Sequence, residues 1–273
     1  MAQDQGGVAV SQGDIETFRR EGIVCLRNVL DATWVERLAE GVAENLRHPG
    51  PYGKNHADAS AAYFGDYHNF SRIKVFREAT ETGPLGAIAG RLMGARKVQL
   101  FHEHVLVKEP GNGSATPWHQ DQPYYSVDGN QTVSLWVPLD PVVAEVCPKF
   151  LAGSHADGKL YLPRRFKTNA PLEGDTGHYE PFDGVDEVKE KERLRFWALK
   201  PGDALAFNYK TLHNAPPNSS ANRRRAVSFR FIGEQTTYAV RSHSVSPPYP
   251  EMGLVARHGD AMPESWFPVV WRQ

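Results

Sequence analysis

Three stretches of the chain alternate strictly between two kinds of residue, and in each the second row carries groups that a dry core would not accept. Between Val98 and Lys108 one row is Leu100, His102, His104, Leu106 and Lys108, and the other is Phe101, Glu103, Val105 and Val107. Between Gln131 and Pro138, Thr132, Ser134 and Trp136 oppose Val133, Leu135 and Val137. Between Arg224 and Gly233, Arg224, Ala226, Ser228 and Arg230 oppose Arg225, Val227, Phe229 and Phe231. A period of two marks strands whose faces meet different surroundings. The row Val227, Phe229 and Phe231 predicts packing against helices. Two guanidinium groups among small residues, on the other row, suit an anion-binding cavity.

The rest of the chain fits around such strands. Its 24 glycines and 20 prolines in 273 residues predict many turns and a strand-rich fold. Ser11 is placed to cap a helix through Ile15 and Phe18 that stops at Gly22, and Ile23–Leu26 reads as a strand. Asp31 caps a second helix bearing Trp34, Leu38, Val42 and Leu46 at helical spacing. Helical patterns return at 73–80 and at 85–93, with Gly94 as the stop. Residues 47–71, with His56, Asp58, Asp66 and His68, lack a period and read as a long loop. Residues 156–193, including the basic run Arg164-Arg165-Phe166-Lys167, read as a solvated insertion or lid. Residues 195–199 and 204–207 flank the Pro201-Gly202-Asp203 turn as a hairpin leading to His213. Trp266, Phe267, Val269, Val270 and Trp271 are placed to tack the C-terminal stretch onto the barrel. The expectation is a mainly β fold with flanking helices (α+β) around a double-stranded β-helix, the cupin-like jelly roll. It forms a single domain over 1–273 with a frayed tail at 1–10.

Composition excludes several functions. A net charge of −1 with 23% charged residues offers no attraction for nucleic acid or an anionic membrane. Cys25 and Cys147 make no disulfide framework and no Cys-x-x-Cys pair. No stretch has the length of a membrane span, and residues 1–13 lack the apolar core of a signal peptide. A cytoplasmic location is expected; oligomeric state is not readable.

The chemistry is concentrated in Thr116-Pro117-Trp118-His119-Gln120-Asp121-Gln122-Pro123-Tyr124-Tyr125. On an extended segment His119 and Asp121 point the same way. With a second histidine they would form the 2-His-1-carboxylate set of non-haem Fe(II) oxygenases. The tripeptide alone recurs by chance, so the remaining motifs must carry the argument. In a jelly roll His213 can come from a strand beside that of His119. Arg224 then begins the following strand and points inward by parity.

Together these motifs resemble the phytanoyl-CoA dioxygenase (PhyH) family of Fe(II)/2-oxoglutarate-dependent oxygenases. The resemblance rests on His104-Val105-Leu106-Val107-Lys108-Glu109-Pro110-Gly111, Trp118-His119-Gln120-Asp121, Ser134-Leu135-Trp136, Gly153-Ser154-His155, Pro201-Gly202-Asp203, His213 and Arg223-Arg224-Arg225-Ala226-Val227-Ser228. It implies His119, Asp121 and His213 as iron ligands and Arg224 as partner of the 2-oxoglutarate C5 carboxylate. Trp136, His104 and Ser228 would flank the co-substrate. The implied cofactors are Fe(II), 2-oxoglutarate and O2, with ascorbate supportive. The implied reaction hydroxylates a C–H bond and releases succinate and CO2. Gln122, Tyr124, Lys108, His68 and Arg165 are the candidates for contact with a small-molecule substrate, an anionic one in the case of the basic groups. Where the family often has Gly-x-Leu, this chain has Ala144-Glu145-Val146-Cys147-Pro148-Lys149-Phe150, which leaves one pocket wall undefined. A carboxylate at position 121 leaves no vacancy for a halide and argues against a halogenase. Two other readings are a jelly-roll binding protein without turnover and a cupin-like metalloenzyme that does not use 2-oxoglutarate. Arg224 argues against the second.

Overall fold

The computed structural model describes residues 10–273 except 59–60, 112, 167, 169 and 175–176, and gives only the backbone of 55–58 and 61–62. The expected frayed tail therefore lies outside the described residues apart from Val10, which is buried in the core. Lys167 and the side chains of His56 and Asp58 lie outside them too.

Four helices precede the first long strand. Ser11 caps α1 (Gln12–Glu21) in a reciprocal capping box with Asp14, and Gly22 ends it at φ 73°. Asp31 caps α2 (Ala32–Arg47) by accepting the Trp34 N–H. The helices α3 (Lys74–Glu81) and α4 (Leu85–Met93) follow, the latter closed by Gly94 at φ 63°. Their apolar faces, including Phe18, Leu38, Val42, Phe76, Ile88 and Leu92, bury against Val105, Val107, Val227, Phe229 and Phe231 of the sheet. The outward apolar row expected of 225–231 is thus accounted for.

The larger sheet runs β1 (Ile23–Leu26), β10 (Ala204–Phe207), β7 (Thr132–Pro138), β12 (Arg224–Gly233), β4 (Lys97–Lys108), β3 (Ala61–Tyr67) and β2 (Lys54–Asp58), with β14 (Val269–Arg272) also paired to β4. The smaller sheet runs β5 (Thr116–His119), β11 (His213–Ala215), β8 (Lys149–Leu151) and β9 (Leu194–Arg195). A short ribbon joins β6 (Val127–Asp128) to β13 (Thr237–Tyr238). Every pairing between these strands is antiparallel. The result is the expected jelly roll, its two main sheets joined by a core of Trp136, Phe150, Leu205, Phe207 and Ala226.

Three expectations need correction. Residues 47–71 are not a loop throughout, since β2 and β3 form a hairpin that extends the sheet. Its period was hidden because polar groups occupy buried positions: Asp66 is fully buried, accepting from Asn45 Nδ2 at 2.7 Å and the Gly50 N–H at 2.7 Å. Leu100 does not share a face with His102. The β4–β12 register slips between Arg230 and Phe231, so Phe101 is an extra residue and Leu100 turns toward the helices. Residues 195–207 make no hairpin; β9 joins the small sheet and β10 the large one.

The turn before β10 is tightly specified. Asp203 accepts from Arg27 Nη1 at 2.7 Å, the Asn28 N–H at 3.1 Å and the Lys200 N–H at 2.9 Å. Gly202 has φ 95°, and a Cβ there would lie 2.5 Å from the Leu30 carbonyl oxygen. Gly202→Ala is expected to lower stability by about 1–3 kcal/mol, read as a drop in thermal midpoint with little change in a site formed elsewhere.

Candidate metal centre

His119 ends β5, and its antiparallel partner in register on β11 is His213. Cross-strand partners project side chains to the same face, so pairing of the two strands suffices to bring the imidazoles together. Their ring centroids are 4.2 Å apart. Asp121 follows where the strand gives way to a single 3-10 turn, Gln122–Tyr124. The Asp121 and Gln122 N–H groups both donate to the Tyr209 carbonyl, at 2.8 and 3.0 Å, which fixes that bend.

Each imidazole is oriented by its own backbone. His119 Nδ1–H donates to the Pro117 carbonyl at 2.8 Å, and His213 Nδ1–H to the Thr211 carbonyl at 2.9 Å. Carbonyls only accept, so both Nδ1 atoms carry the proton and both Nε2 lone pairs are free. Those Nε2 atoms lie 3.7 Å and 3.9 Å from Asp121 Oδ1. One donor atom from each of the three residues falls within 4.8 Å of the others. Phe150 stacks on His213, with Phe207 tilted against it. Burial, followed by the neighbouring His119, pushes the His213 pKa down to about 3, so its imidazole is neutral at physiological pH.

The outer oxygen of Asp121 is held from behind. Arg230 Nε lies 3.5 Å and Ser134 Oγ 3.4 Å from Oδ2. Burial alone would raise the Asp121 pKa, but Arg230 and the two histidines outweigh it and keep the carboxyl ionised far below its ordinary range. Arg230 is itself buried, with its guanidinium 5.6 Å from the centroid of the Tyr125 ring. Two imidazoles and one carboxylate, converging by one atom each, fit divalent iron better than a soft metal or a hard oxygen-only cation.

On the larger sheet, Ser228 on β12 pairs with Trp136 on one side and His104 on the other. Trp136 is buried, and Ser228 Oγ has no hydrogen-bond partner among the described residues. Burial and Arg230 lower the His104 pKa to about 3. Further along, Arg224 pairs in register with Lys108. Arg224 donates to the Val146 carbonyl and, among the described residues, meets no carboxylate. That carbonyl belongs to the turn Ala144–Val146, where the sequence departs from the family pattern.

The candidates for substrate contact separate. Tyr124 packs its ring edge-on to His119, while its hydroxyl accepts from the Arg164 N–H and donates to the Arg164 carbonyl, both at 2.9 Å. Gln122 is buried with Oε1 unpartnered among the described residues. His68, at φ 63°, packs against Phe70 and Tyr249. Lys108 pairs in register with Arg224 and donates to the Ser114 and Pro216 carbonyls. Arg165 is exposed, its guanidinium 3.8 Å from Glu173; the next residue, Phe166, is the one that reaches His119, at 4.6 Å between centroids. Most described residues of 156–193 are exposed, but the segment touches the site through Phe166 and through Gln120, which bonds Lys159 and Tyr161.

Sequence reasoning missed Tyr63 and the Asp121–Arg230 pairing. Tyr63 lies on the hidden hairpin, opposite Lys108 in register. Arg230 was legible as inward by parity, but nothing in the sequence says which acid it meets.

A model of the phytanoyl-CoA dioxygenase (PhyH) family matches residues 18–226. A phytanoyl-CoA dioxygenase of Arabidopsis thaliana is 26% identical over 159 residues, covering 58% of this chain and 52% of that protein. A methylphosphonate hydroxylase of Gimesia maris is 28% identical over 152 residues, 55% of this chain and 51% of that protein. The chain thus spans about half the length of the curated relatives it matches. Among solved structures, the alpha ketoglutarate-dependent epimerase SnoN of nogalamycin biosynthesis superposes with a TM-score of 0.75 at 22% identity, covering 96% of this chain and 98% of that one. At that identity the likeness speaks to the fold.

Proposed function

Because the chain belongs to the phytanoyl-CoA dioxygenase family, we propose that it is an Fe(II)- and 2-oxoglutarate-dependent dioxygenase that hydroxylates an unactivated C–H bond of a small molecule. Succinate and CO2 are the co-products. The observation that carries this reading is the convergence of the His119 and His213 Nε2 atoms on Asp121 Oδ1, each imidazole locked in the ligating tautomer by a carbonyl. These three side chains hold the iron. When bound, iron with 2-oxoglutarate supplies dioxygen activation and the oxidising power drawn from decarboxylation.

The remaining residues bind, orient and shield. Arg224 grips the distal carboxylate through a planar fork that a lysine alone could not match. Trp136, Ser228 and His104 form the wall along which the co-substrate lies; Ser228 Oγ, buried and unpartnered among the described residues, is free to donate. Arg230 and Ser134 engage the outer oxygen of Asp121, leaving Oδ1 to the metal. Tyr124, Phe166, Gln122 and His68 face the substrate, and residues 156–193 serve as the lid that excludes water from the centre. Arg165, exposed beside Glu173, is left to greet an incoming anion. An anionic small molecule is the substrate class we favour, in keeping with a relative named for methylphosphonate. The chain acts as a single domain. A cytoplasmic setting agrees with the two free thiols, Cys25 and Cys147; no described helix is long and apolar enough to cross a membrane.

Anaerobic loading with Fe(II), then 2-oxoglutarate, ascorbate and air, should yield succinate above a metal-free control even without substrate. No succinate across a panel of small organic anions, with 2-oxoglutarate still bound, would instead favour a binding protein.

A further inference from the structure

Buried charges in proteins are normally paired, because an isolated ion loses its hydration without compensation. Two cations break that rule together. Lys108 and Arg224 are cross-strand partners on β4 and β12, both buried. Partners in an antiparallel pair have Cα atoms roughly 4.5–5.5 Å apart, so the two side chains leave the sheet side by side. Neither meets a carboxylate among the described residues. The Lys108 ammonium gives one hydrogen bond to the Ser114 carbonyl at 2.7 Å and one to the Pro216 carbonyl at 3.1 Å. An ammonium has three donors, and these two bonds use two of them among the described residues. It also stands 5.9 Å from the centroid of the Tyr63 ring, on the strand that lines the other side of β4.

We propose that Lys108 is a second anchor for the distal carboxylate of the co-substrate, sharing it with Arg224, and that it takes up a proton from solvent as that dicarboxylate enters. This rests on the reading that Arg224 holds 2-oxoglutarate, and it moves Lys108 from the substrate side, where the sequence suggested it, to the co-substrate side. One carboxylate between the two cations would supply the partner that neither finds among the described residues. The proton follows from the same crowding. Burial and then the adjacent Arg224 lower the Lys108 pKa to about 7, so above neutrality much of the empty protein holds a neutral amine. A carboxylate arriving beside it favours the ammonium, and the proton balance is one taken from solvent per ligand bound.

The groups around Lys108 do not compete for that proton near neutrality. From β12, Arg224 stays charged, its pKa lowered only to about 10 by burial. From β3, burial raises Tyr63 to about 12, and beyond Arg224 burial raises Cys147 to about 11. Along β4 itself, His104 is lowered to about 3. The loops over Lys108 present carbonyl oxygens.

The test is calorimetric titration of 2-oxoglutarate into the full chain loaded with Fe(II) under anaerobic conditions, in buffers of differing ionisation enthalpy. Wild type should take up about one proton per ligand at about pH 8 and far fewer at about pH 6. Affinity should fall as pH rises through neutrality, because the bound state favours the protonated amine. Lys108→Arg, which cannot lose its charge, should bind without proton uptake. Lys108→Met should bind roughly 10- to 100-fold more weakly, also without uptake, while retaining iron as proof of folding. Tight binding by wild type with no buffer dependence, or undiminished affinity in Lys108→Met, would overturn the assignment while leaving the oxygenase reading intact. Wild type that loads iron but binds no 2-oxoglutarate would overturn both.

Discussion

His213→Ala protein should fold, retain little or no iron, and form succinate no faster than a metal-free blank. The loss should be at least about 1000-fold, because two donors cannot hold a labile ferrous ion against water at micromolar concentrations. The structure gives this substitution a specific weight. His213 is one of the two in-register imidazoles of the β5–β11 pair, and its Nδ1–H is committed to the Thr211 carbonyl. No other described His, Cys, Asp or Glu joins His119 and Asp121 in a possible metal cluster. Phe150 and Phe207, which pack on the ring, would be left facing a cavity, so some loss of stability should accompany the loss of metal. Metal analysis beside thermal melts separates the two. A His213→Ala protein that binds iron at full stoichiometry would remove this centre from consideration.

Arg224→Ala should leave iron loading intact and raise the 2-oxoglutarate requirement by roughly 100-fold or more. Removing one partner of a buried, hydrogen-bonded charge pair costs about 2–5 kcal/mol, much of it from the charge left behind. Among the described residues Arg224 is joined to the protein by the Val146 carbonyl and not by an acid, so the variant strands no described carboxylate. Its effect should therefore appear in the co-substrate constant rather than in folding. Anaerobic titration of the loaded variant with 2-oxoglutarate would check this; unchanged affinity would mean that the carboxylate docks elsewhere.

The parts of the molecule that were legible in its sequence share a physical cause: a local signal that tertiary structure had no reason to override. The Ser11 cap, the Asp31 cap and the left-handed stops at Gly22 and Gly94 are settled within a few residues of themselves. The inward rows of β7 and β12 follow from pleat parity alone, which is why Trp136, Ser228 and Arg224 could be placed. The β2–β3 hairpin could not, because its hidden face carries Asp66 and its cavity face carries Tyr63 and Tyr67, leaving no contrast of polarity to read. Leu100 was lost to a single extra residue in β4, which no propensity marks. The meeting of Arg230 with Asp121 depends on how the sheets close over one another. Such contacts between distant residues are set by the closed barrel and have no trace in either segment.

The register of β11 against β5 has a consequence for how the protein comes to be active. Side chains alternate along a strand, so slipping this short pair by one position would rotate one imidazole out of the chamber. β11 has only three residues and an irregular step after His213, but it is held on both sides, by β5 through His119 and by β8 through Phe150. A divalent ion seated between the imidazoles would oppose every misaligned pairing. Aligning the smaller sheet and aligning the two imidazoles are thus one and the same requirement.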